Sequence, residues 1–264
     1  TIKRNISLGE TTEQQLRLDQ VITQSGLKSL IETQPKGIET YIGESGSRIS
    51  GGERQRIGIA RALFRNPSLL VFDEVISGFR VGFNGAAEML GITPDIITYG
   101  KIIGGGLPVG AYGARNEIMA QISPDGAVYQ AGTLSGNPVA MAAGLAQLEL
   151  CAAEGFYTQQ AKRTQTFVDN INTFALAQGY PMELVCVGSI FWFSFNGKKR
   201  ITAANQIASD MSAFNFMHHY LLNVGVYFGP SGYEVGFVSS AHTDAQLDHA
   251  ALQIKAALAA FYQK

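Results

Sequence analysis

Short apolar runs alternate with stretches of helical periodicity along most of this chain. Between residues 12 and 34, apolar positions recur among polar ones, which predicts one or two short helices. Ser50 follows a glycine-rich stretch and suits the N-cap of a helix from about Glu53 to Phe64. The next apolar run, Ser68–Phe72, is continuous, and this pattern is typical of a strand buried on both faces of a parallel sheet.

The alternation continues downstream with longer helices. Asn137–Pro138 suits the N-cap and first position of a helix that runs toward Ala153. Apolar and β-branched residues predict strands over 184–195, interrupted at Gly188, and helical spacing returns over 203–222. Strands that alternate with helices in this way predict an α/β architecture.

The C-terminal end has the clearest helix signal. Thr243 and Gln246 have the spacing of a capping box. Apolar residues then line one face of the helix that this box begins, at Leu247, Ile254, Leu258 and Phe261. With the strands before it, this helix predicts a smaller α+β domain over residues 155–264.

Composition and charge narrow the class of partner. The chain has 264 residues, a formal net charge of −1 and 46% hydrophobic residues, which suit an ordinary globular protein with one or two domains. It has neither the basic field that nucleic acid requires nor an apolar run near the roughly 20 residues that span a bilayer. Cys151 and Cys186 lack metal-ligand spacing, so we expect free thiols, no metal site and a cytoplasmic location.

Two motifs on the N-terminal side resemble an ABC-transporter ATPase. Ile49–Arg56 resembles the signature helix of that family, and Leu69–Glu74 resembles its Walker B strand. A helix N-terminus can hold a phosphate, and strand-end carboxylates can hold Mg²⁺ and a water molecule. The ATP and Mg²⁺ site residues implied by this resemblance are Ser50, Gly51, Gly52, Gln55, Asp73 and Glu74.

This ATPase resemblance does not extend to a complete nucleotide site. The sequence has no Gly-x-x-x-x-Gly-Lys-Ser/Thr motif, because Lys101 is followed by Ile102 and Lys198 by Lys199. We therefore expect that the chain does not hold its own nucleotide.

From about Leu69 to Lys264 the chain resembles class III pyridoxal-phosphate aminotransferases, and three motifs carry this resemblance. They are Asp73–Arg80, Gly100–Gly113 and Gln130–Pro138. A pyridoxal-phosphate enzyme requires a lysine for the cofactor, a carboxylate for the pyridine nitrogen and anchors for the phosphate. The continuation after Asp73 fits this family, so we assign Asp73 and Glu74 to it in preference to the ATPase.

The resemblance implies a role for individual residues. Lys101 matches the lysine that binds the cofactor covalently, Asp73 matches the carboxylate that faces the pyridine nitrogen, and Val75 matches the apolar residue against the ring. Gly132 and Thr133 match the segment that reaches the cofactor phosphate of a partner subunit, which implies a homodimer. Thr133 and Ser135 could also cap the helix that begins at Pro138, a role that is compatible with the one toward the phosphate.

The third motif, extended to Tyr129, and one segment near the C-terminus favour the glutamate-1-semialdehyde aminomutase subgroup. Tyr129–Pro138 and Gly236–Thr243 are similar to that subgroup, in which Glu234 matches a position near the substrate. His242 lies beside a helix start, where a hydrogen-bonded structural role is the more frequent one. The implied reaction converts an amino-acid substrate, glutamate-1-semialdehyde, into 5-aminolevulinate with pyridoxal 5'-phosphate.

The resulting hypothesis is a chimera. We predict an ATPase fragment over 1–72, part of a fold type I large domain over 73–154, and a C-terminal small domain over 155–264. Family members have a further N-terminal half, so we expect this chain to be inactive as an aminomutase. The alternatives are the ATP-binding component of an exporter, or an inert fusion of natural, engineered or assembly origin.

Overall fold

The computed structural model describes five ranges of the chain. It describes only the backbone of residues 15, 51, 52, 54 and 55. The ranges are 1–7, 15–42, 51–65, 67–196 and 210–263. They form two compact units. Unit 1 consists of residues 1–41 and 55–156, and unit 2 of residues 42–54 and 157–264.

Short helices form the first part of unit 1. They are α1 (Ile2–Ser7), α2 (Gln15–Gln24), α3 (Lys28–Thr33) and α4 (Gly51–Phe64), of which residues 51–54 are assigned to unit 2. The side chains of Ile2, Ile6, Leu27 and Ile57 are fully or almost fully buried. The Arg61 guanidinium joins α4 to α1, because its Nε donates to the carbonyl oxygen of Asn5 at 2.6 Å. The predicted cap Ser50 lies outside the described residues.

A three-stranded sheet follows, in the order β1-β2-β3. Its strands are β1 (Val71–Glu74), β2 (Ile96–Tyr99) and β3 (Ala111–Ala114), with β1 parallel and β3 antiparallel to β2. The prediction that the strand is buried on both faces is wrong. Val71 is 55% exposed and Leu69 50%, so no segment of the described part of the chain fully covers the face on which these two side chains lie. The predicted boundary between residues 72 and 73 falls inside β1, and the three-segment division stays a prediction.

The remaining elements of unit 1 surround this sheet. They are α5 (Gly85–Met89), a 3-10 turn (Lys101–Gly104), α6 (Asn116–Met119) and α7 (Pro138–Ala152). The predicted start of α7 is confirmed, since the Asn137 side chain accepts hydrogen bonds from the backbone nitrogens of Val139 and Ala140. Thr133 and Ser135 therefore do not provide this cap.

Unit 2 packs helices against a second sheet. Its helices are α8 (Phe156–Gln178), α9 (Ser212–Asn223) and α10 (Asp244–Tyr262), and its antiparallel strands are β4 (Glu183–Val187), β5 (Ile190–Ser194) and β6 (Gly236–Phe237). The predicted strands with a break at Gly188 and the capping box of Thr243 and Gln246 are confirmed. The beginning of the predicted helix 203–222 lies outside the described residues.

The core of unit 2 is aromatic and aliphatic. Ile171, Leu221 and Ile254 have no exposed surface, and Phe191 and Phe193 from β5 lie among them. In the described ranges, no single helix has the length and apolar character to cross a membrane, although α7 and α8 pass that test when they are taken together. The same ranges hold no group of three or more potential metal ligands.

Candidate active site

The candidate site in unit 1 is the edge of the sheet where β1 and β2 end. The two strands are parallel, with Asp73 opposite Thr98 and Glu74 opposite Tyr99. Their carboxyl ends therefore meet at one edge, which is where α/β sheets bind ligands. Lys101 begins the turn that directly follows β2.

Lys101 has an unusual backbone conformation at this edge. Its φ is +49°, in the left-handed region that residues other than glycine rarely occupy. Its side chain is exposed, and no hydrogen bond or ion pair joins its ammonium group to any residue that the structure describes. Strained residues of this kind concentrate at functional sites, where the surroundings must hold them.

Asp73 is also exposed and has one unused oxygen. Its Oδ1 accepts hydrogen bonds from the Val75 backbone nitrogen at 2.9 Å and from the Thr98 hydroxyl at 3.4 Å. Its Oδ2 has no hydrogen-bond partner among the described residues. Val75 packs on the end of β2, since a Cβ added to Gly100 would lie 3.1 Å from its Cγ1.

Glu74 has the opposite environment, which sequence reasoning did not anticipate. Its side chain has no exposed surface, and its Oε1 accepts a hydrogen bond from the Ala87 backbone nitrogen at 2.6 Å. The Ser77 hydroxyl donates to its Oε2. A carboxylate that activates water needs access to that water, so this burial does not favour the ATP-related role.

The turn that carries Lys101 is packed directly on α7. A Cβ on Gly144 would overlap the carbonyl oxygen of Ile103, and a Cβ on Gly105 would overlap that of Ala143. Only glycine permits this approach of two backbones. An isolated glycine in a helical pattern was the available sequence signal, and it indicates a close contact.

Gly132 and Thr133 line a separate cleft of about 1100 Å³ in unit 1. The cleft is also lined by Tyr99, which ends β2, and by Ile103 from the turn that begins at Lys101, but Lys101 itself does not line it. Both predicted phosphate anchors are exposed. Within this chain the structure therefore brings Asp73, Val75 and Lys101 to one edge, and leaves Gly132 and Thr133 outside that group.

Glu234 and His242 belong to unit 2. Glu234 is exposed, and its carboxylate lies against the backbone of Gly229, where a Cβ would overlap it. The Nδ1 atom of His242 accepts a hydrogen bond from the Ser239 backbone nitrogen at 3.0 Å, an arrangement that suits a structural role. The position of Glu234 near a substrate stays a prediction.

The ATP-related residues are only partly described. Ser50 lies outside the described residues, and Gly51, Gly52 and Gln55 are described only as backbone of α4. The predicted contacts of these residues with a nucleotide therefore stay a prediction.

The amino-acid sequence of this chain matches a family model and a related enzyme. The model of the family described as class III aminotransferases matches residues 38–258, so the match begins upstream of Leu69, where we placed the start of the resemblance. Glutamate-1-semialdehyde 2,1-aminomutase from Laribacter hongkongensis (strain HLHK9) is 51% identical over 181 residues, which are 69% of this chain and 43% of that protein.

Solved structures agree with this match. An omega-transaminase from Sphaerobacter thermophilus has a TM-score of 0.67 and 29% identity, over 79% of this chain and 47% of that one. A structure described as a transaminase with PLP bound has a TM-score of 0.65 and 27% identity, over 78% and 50% respectively. The chain spans about half the length of these relatives, or less. With a family model that matches most of its residues, this chain belongs to the class III aminotransferase family.

Proposed function

We propose that this chain carries part of a pyridoxal-phosphate site of an aminotransferase or aminomutase that acts on an amino-acid substrate. The observation that carries the proposal is the parallel register of β1 and β2, with Asp73 at the end of one strand and Lys101 directly after the other. The sequence identity to a glutamate-1-semialdehyde aminomutase supports the aminomutase subgroup. The corresponding reaction turns glutamate-1-semialdehyde into 5-aminolevulinate, in the cytoplasm.

The side chains at this edge fit the cofactor. Lys101 has an exposed ammonium group without a partner among the described residues. The Oδ1 atom of Asp73 accepts a hydrogen bond from the Val75 backbone nitrogen, and its Oδ2 atom has no partner among those residues. Lys101 would bind the cofactor covalently, Asp73 would keep its pyridine nitrogen protonated, and Val75 would contact the ring. When bound, pyridoxal phosphate withdraws electrons from the bonds at the substrate α-carbon.

The phosphate and the substrate require residues outside that edge. Gly132 and Thr133 are exposed, and this supports a role toward the cofactor of a second subunit in a homodimer. Glu234, also exposed, would lie near the substrate. Because the chain spans less than half of the aminomutase that it resembles, labelling by the cofactor is a sharper test than turnover.

The experiment is reductive trapping. The purified chain is incubated with pyridoxal phosphate, reduced with borohydride and mapped by peptide mass spectrometry. We expect Lys101 to carry most of the label, and Lys101→Ala to remove it. Lys162→Ala, which deletes an exposed lysine of α8, should leave the label at Lys101 unchanged. Label that is spread equally over surface lysines would contradict the proposal.

We propose an ATPase-derived origin for residues 1–72 on the motifs at Ile49–Arg56 and Leu69–Glu74. We expect no ATP binding by this chain, because it has no phosphate-cradling lysine motif and because Glu74 is buried. Calorimetric titration with ATP and Mg²⁺ tests this, and saturable binding at micromolar ATP would contradict it.

A further inference from the structure

Glu74 is a buried carboxylate in unit 1 to which no cation is bonded in the described part of the chain. Ion pairs in the described part of unit 1 join Lys3 to Glu39 and Arg115 to Asp95, and neither of them includes Glu74. Among the described residues, Glu74 accepts hydrogen bonds from one backbone N–H, that of Ala87, and from one hydroxyl, that of Ser77. A buried acidic group with so few partners costs stability compared with an apolar side chain. Because its burial does not favour stability, the explanation for Glu74 is sought in what its two donors join.

The two hydrogen-bond donors to Glu74 lie at opposite ends of the loop that joins β1 to α5. Ser77 lies just after β1, whereas Ala87 lies in α5, so the carboxylate joins both ends of the β1–α5 loop. Gly85 lies directly on the carboxylate, because a Cβ added there would be 2.5 Å from Oε2. Gly78 is equally close to the neighbouring strand, since its added Cβ would be 2.6 Å from the Tyr99 ring. The loop is thus folded tightly around the Glu74 side chain.

This loop supports the backbone that carries Lys101. Glu74 is opposite Tyr99 in the parallel register, and Val75, the next residue of the loop, packs on Gly100. Lys101 follows immediately with its φ of +49°. A strained residue keeps its conformation only when its surroundings over-determine it. Val75 and Tyr99 provide part of those surroundings, and Glu74 holds the loop to which Val75 belongs.

From these contacts we infer that Glu74 is a positioning residue: through the β1–α5 loop it fixes Val75 and the end of β2, and so holds Lys101 in the conformation that binds the cofactor. This inference rests on the proposed pyridoxal-phosphate site. It does not require Glu74 to contact the cofactor, the substrate or the reacting atoms.

The test compares Glu74 variants by two readouts. Glu74→Leu removes both acceptors at similar volume, while Glu74→Gln keeps one acceptor oxygen for the Ala87 N–H. The first readout is the share of borohydride-trapped label at Lys101. We expect Glu74→Leu, which loses both hydrogen bonds, to lower it by about tenfold or more, since one bond to a charged group already has an effect of that size, and Glu74→Gln to retain more of it. The second readout is hydrogen–deuterium exchange over residues 97–106, which should become faster in the same order.

Two controls separate positioning from general destabilisation. Glu88→Gln changes an exposed glutamate of α5 and should leave both readouts at the wild-type value. Ile57→Ala removes a buried side chain of α4, so it destabilises unit 1 by lost packing. It should leave the Lys101 share of the label unchanged, whereas Glu74→Leu should lower that share.

The outcomes also separate this inference from the proposed function. If Lys101 is labelled in the wild type and equally in Glu74→Leu, with unchanged exchange, the inference is wrong and the proposed function stands. If the wild type does not label at Lys101, the proposed function fails, and the exchange data decide the inference alone. Faster exchange over residues 97–106 in Glu74→Leu, but not in Ile57→Ala, would then support the positioning of the Lys101 backbone by Glu74, and its link to the cofactor would fall with the proposed function. Equal exchange in Glu74→Leu and the wild type would overturn the inference.

Discussion

Gly85 shows how a single residue determines whether a buried carboxylate fits. Its φ is +71°, and a Cβ would approach the Glu74 carboxylate to 2.5 Å. Gly91 has a similar φ of +64°, but an added Cβ would meet nothing within 4 Å. The two glycines therefore separate backbone strain from steric overlap.

We expect Gly91→Ala to lower the free energy of unfolding by about 1 kcal/mol, the strain of a left-handed alanine. Gly85→Ala should cost about 1–3 kcal/mol more, the usual penalty of overpacking. Thermal unfolding followed by circular dichroism measures both. Equal losses would mean that the loop around Glu74 relaxes freely.

Tyr99 makes the stability of unit 1 depend on pH. Burial of its hydroxyl raises the pKa of Tyr99 above its usual value of 10.0, and the negative charge of Glu74 raises this pKa further. A tyrosine with a raised folded-state pKa contributes stability that is fully present below the unfolded pKa. That contribution is lost as the pH rises through the folded pKa.

The free energy of unfolding should therefore fall as the pH rises above about 10. Tyr99→Phe should reduce the slope of that fall, and Glu74→Gln should reduce it less, because burial is the larger cause of the pKa shift. Urea unfolding at a series of alkaline pH values measures the slope. An identical slope in Tyr99→Phe would contradict this assignment.

Among the elements, α10 has an N-terminus that its own sequence determines. The Thr243 hydroxyl accepts a hydrogen bond from the Gln246 backbone nitrogen at 3.2 Å, and the Gln246 side chain accepts one from the Thr243 nitrogen at 2.8 Å. Thr243→Ala should destabilise unit 2 by about 1 kcal/mol, whereas Thr243→Ser keeps the hydroxyl and should change stability by less than about 0.5 kcal/mol.

The single tryptophan, Trp192, is a reporter for that measurement. It lies in β5 of unit 2, and its Nε1 donates to the carbonyl oxygen of Gly232 at 2.8 Å. Its fluorescence during urea unfolding should therefore follow unit 2. If Thr243→Ala and Thr243→Ser lower the unfolding midpoint equally, the hydroxyl contributes nothing and the cap is not stabilising.

The element β1 shows a limit of pattern reasoning. A continuous apolar run predicts a strand that is covered on both faces, yet Val71 and Leu69 are half exposed. Hydrophobicity reports what a segment would bury, and neighbouring segments decide whether it is covered. Those neighbours are far apart in sequence, so a local pattern does not identify them.

At the scale of the whole molecule, α7 presents an apolar surface. Val139 is 67% exposed and Leu145 is 61% exposed. Glu149 is the single charged residue in the sequence of this helix. Exposed apolar surface of this kind promotes association. We expect the chain to self-associate at micromolar concentration, and the double variant Val139→Lys with Leu145→Lys to reduce that association.

Leu252 provides a matched control for this prediction. It is 61% exposed on α10 of unit 2, the same exposure as Leu145. Leu252→Lys should therefore change association less than the α7 double variant, if the surface of α7 is responsible. Light scattering over a range of concentrations measures the effect. A monomeric wild type, or equal effects of the two substitutions, would contradict the prediction.

The sequence by itself determined the features that depend on neighbouring residues. The caps at Asn137 and Thr243 and the break between strands at Gly188 were predicted correctly, because turns and caps are formed by side chains within a few positions of the backbone that they satisfy. The family motifs around Asp73 and Lys101 were also recognisable, since their spacing along the chain is short and specific.

Only the tertiary structure decided which of these residues meet and which are accessible. Asp73 and Glu74 are adjacent in the sequence and both acidic, yet one is exposed with a free oxygen and the other is completely buried. Successive side chains of a strand point to opposite faces, and Gly85 packs directly on the Glu74 carboxylate on one of them. Because such contacts join residues that are distant along the chain, their effect on Glu74 and on the strained Lys101 becomes visible only in the folded molecule.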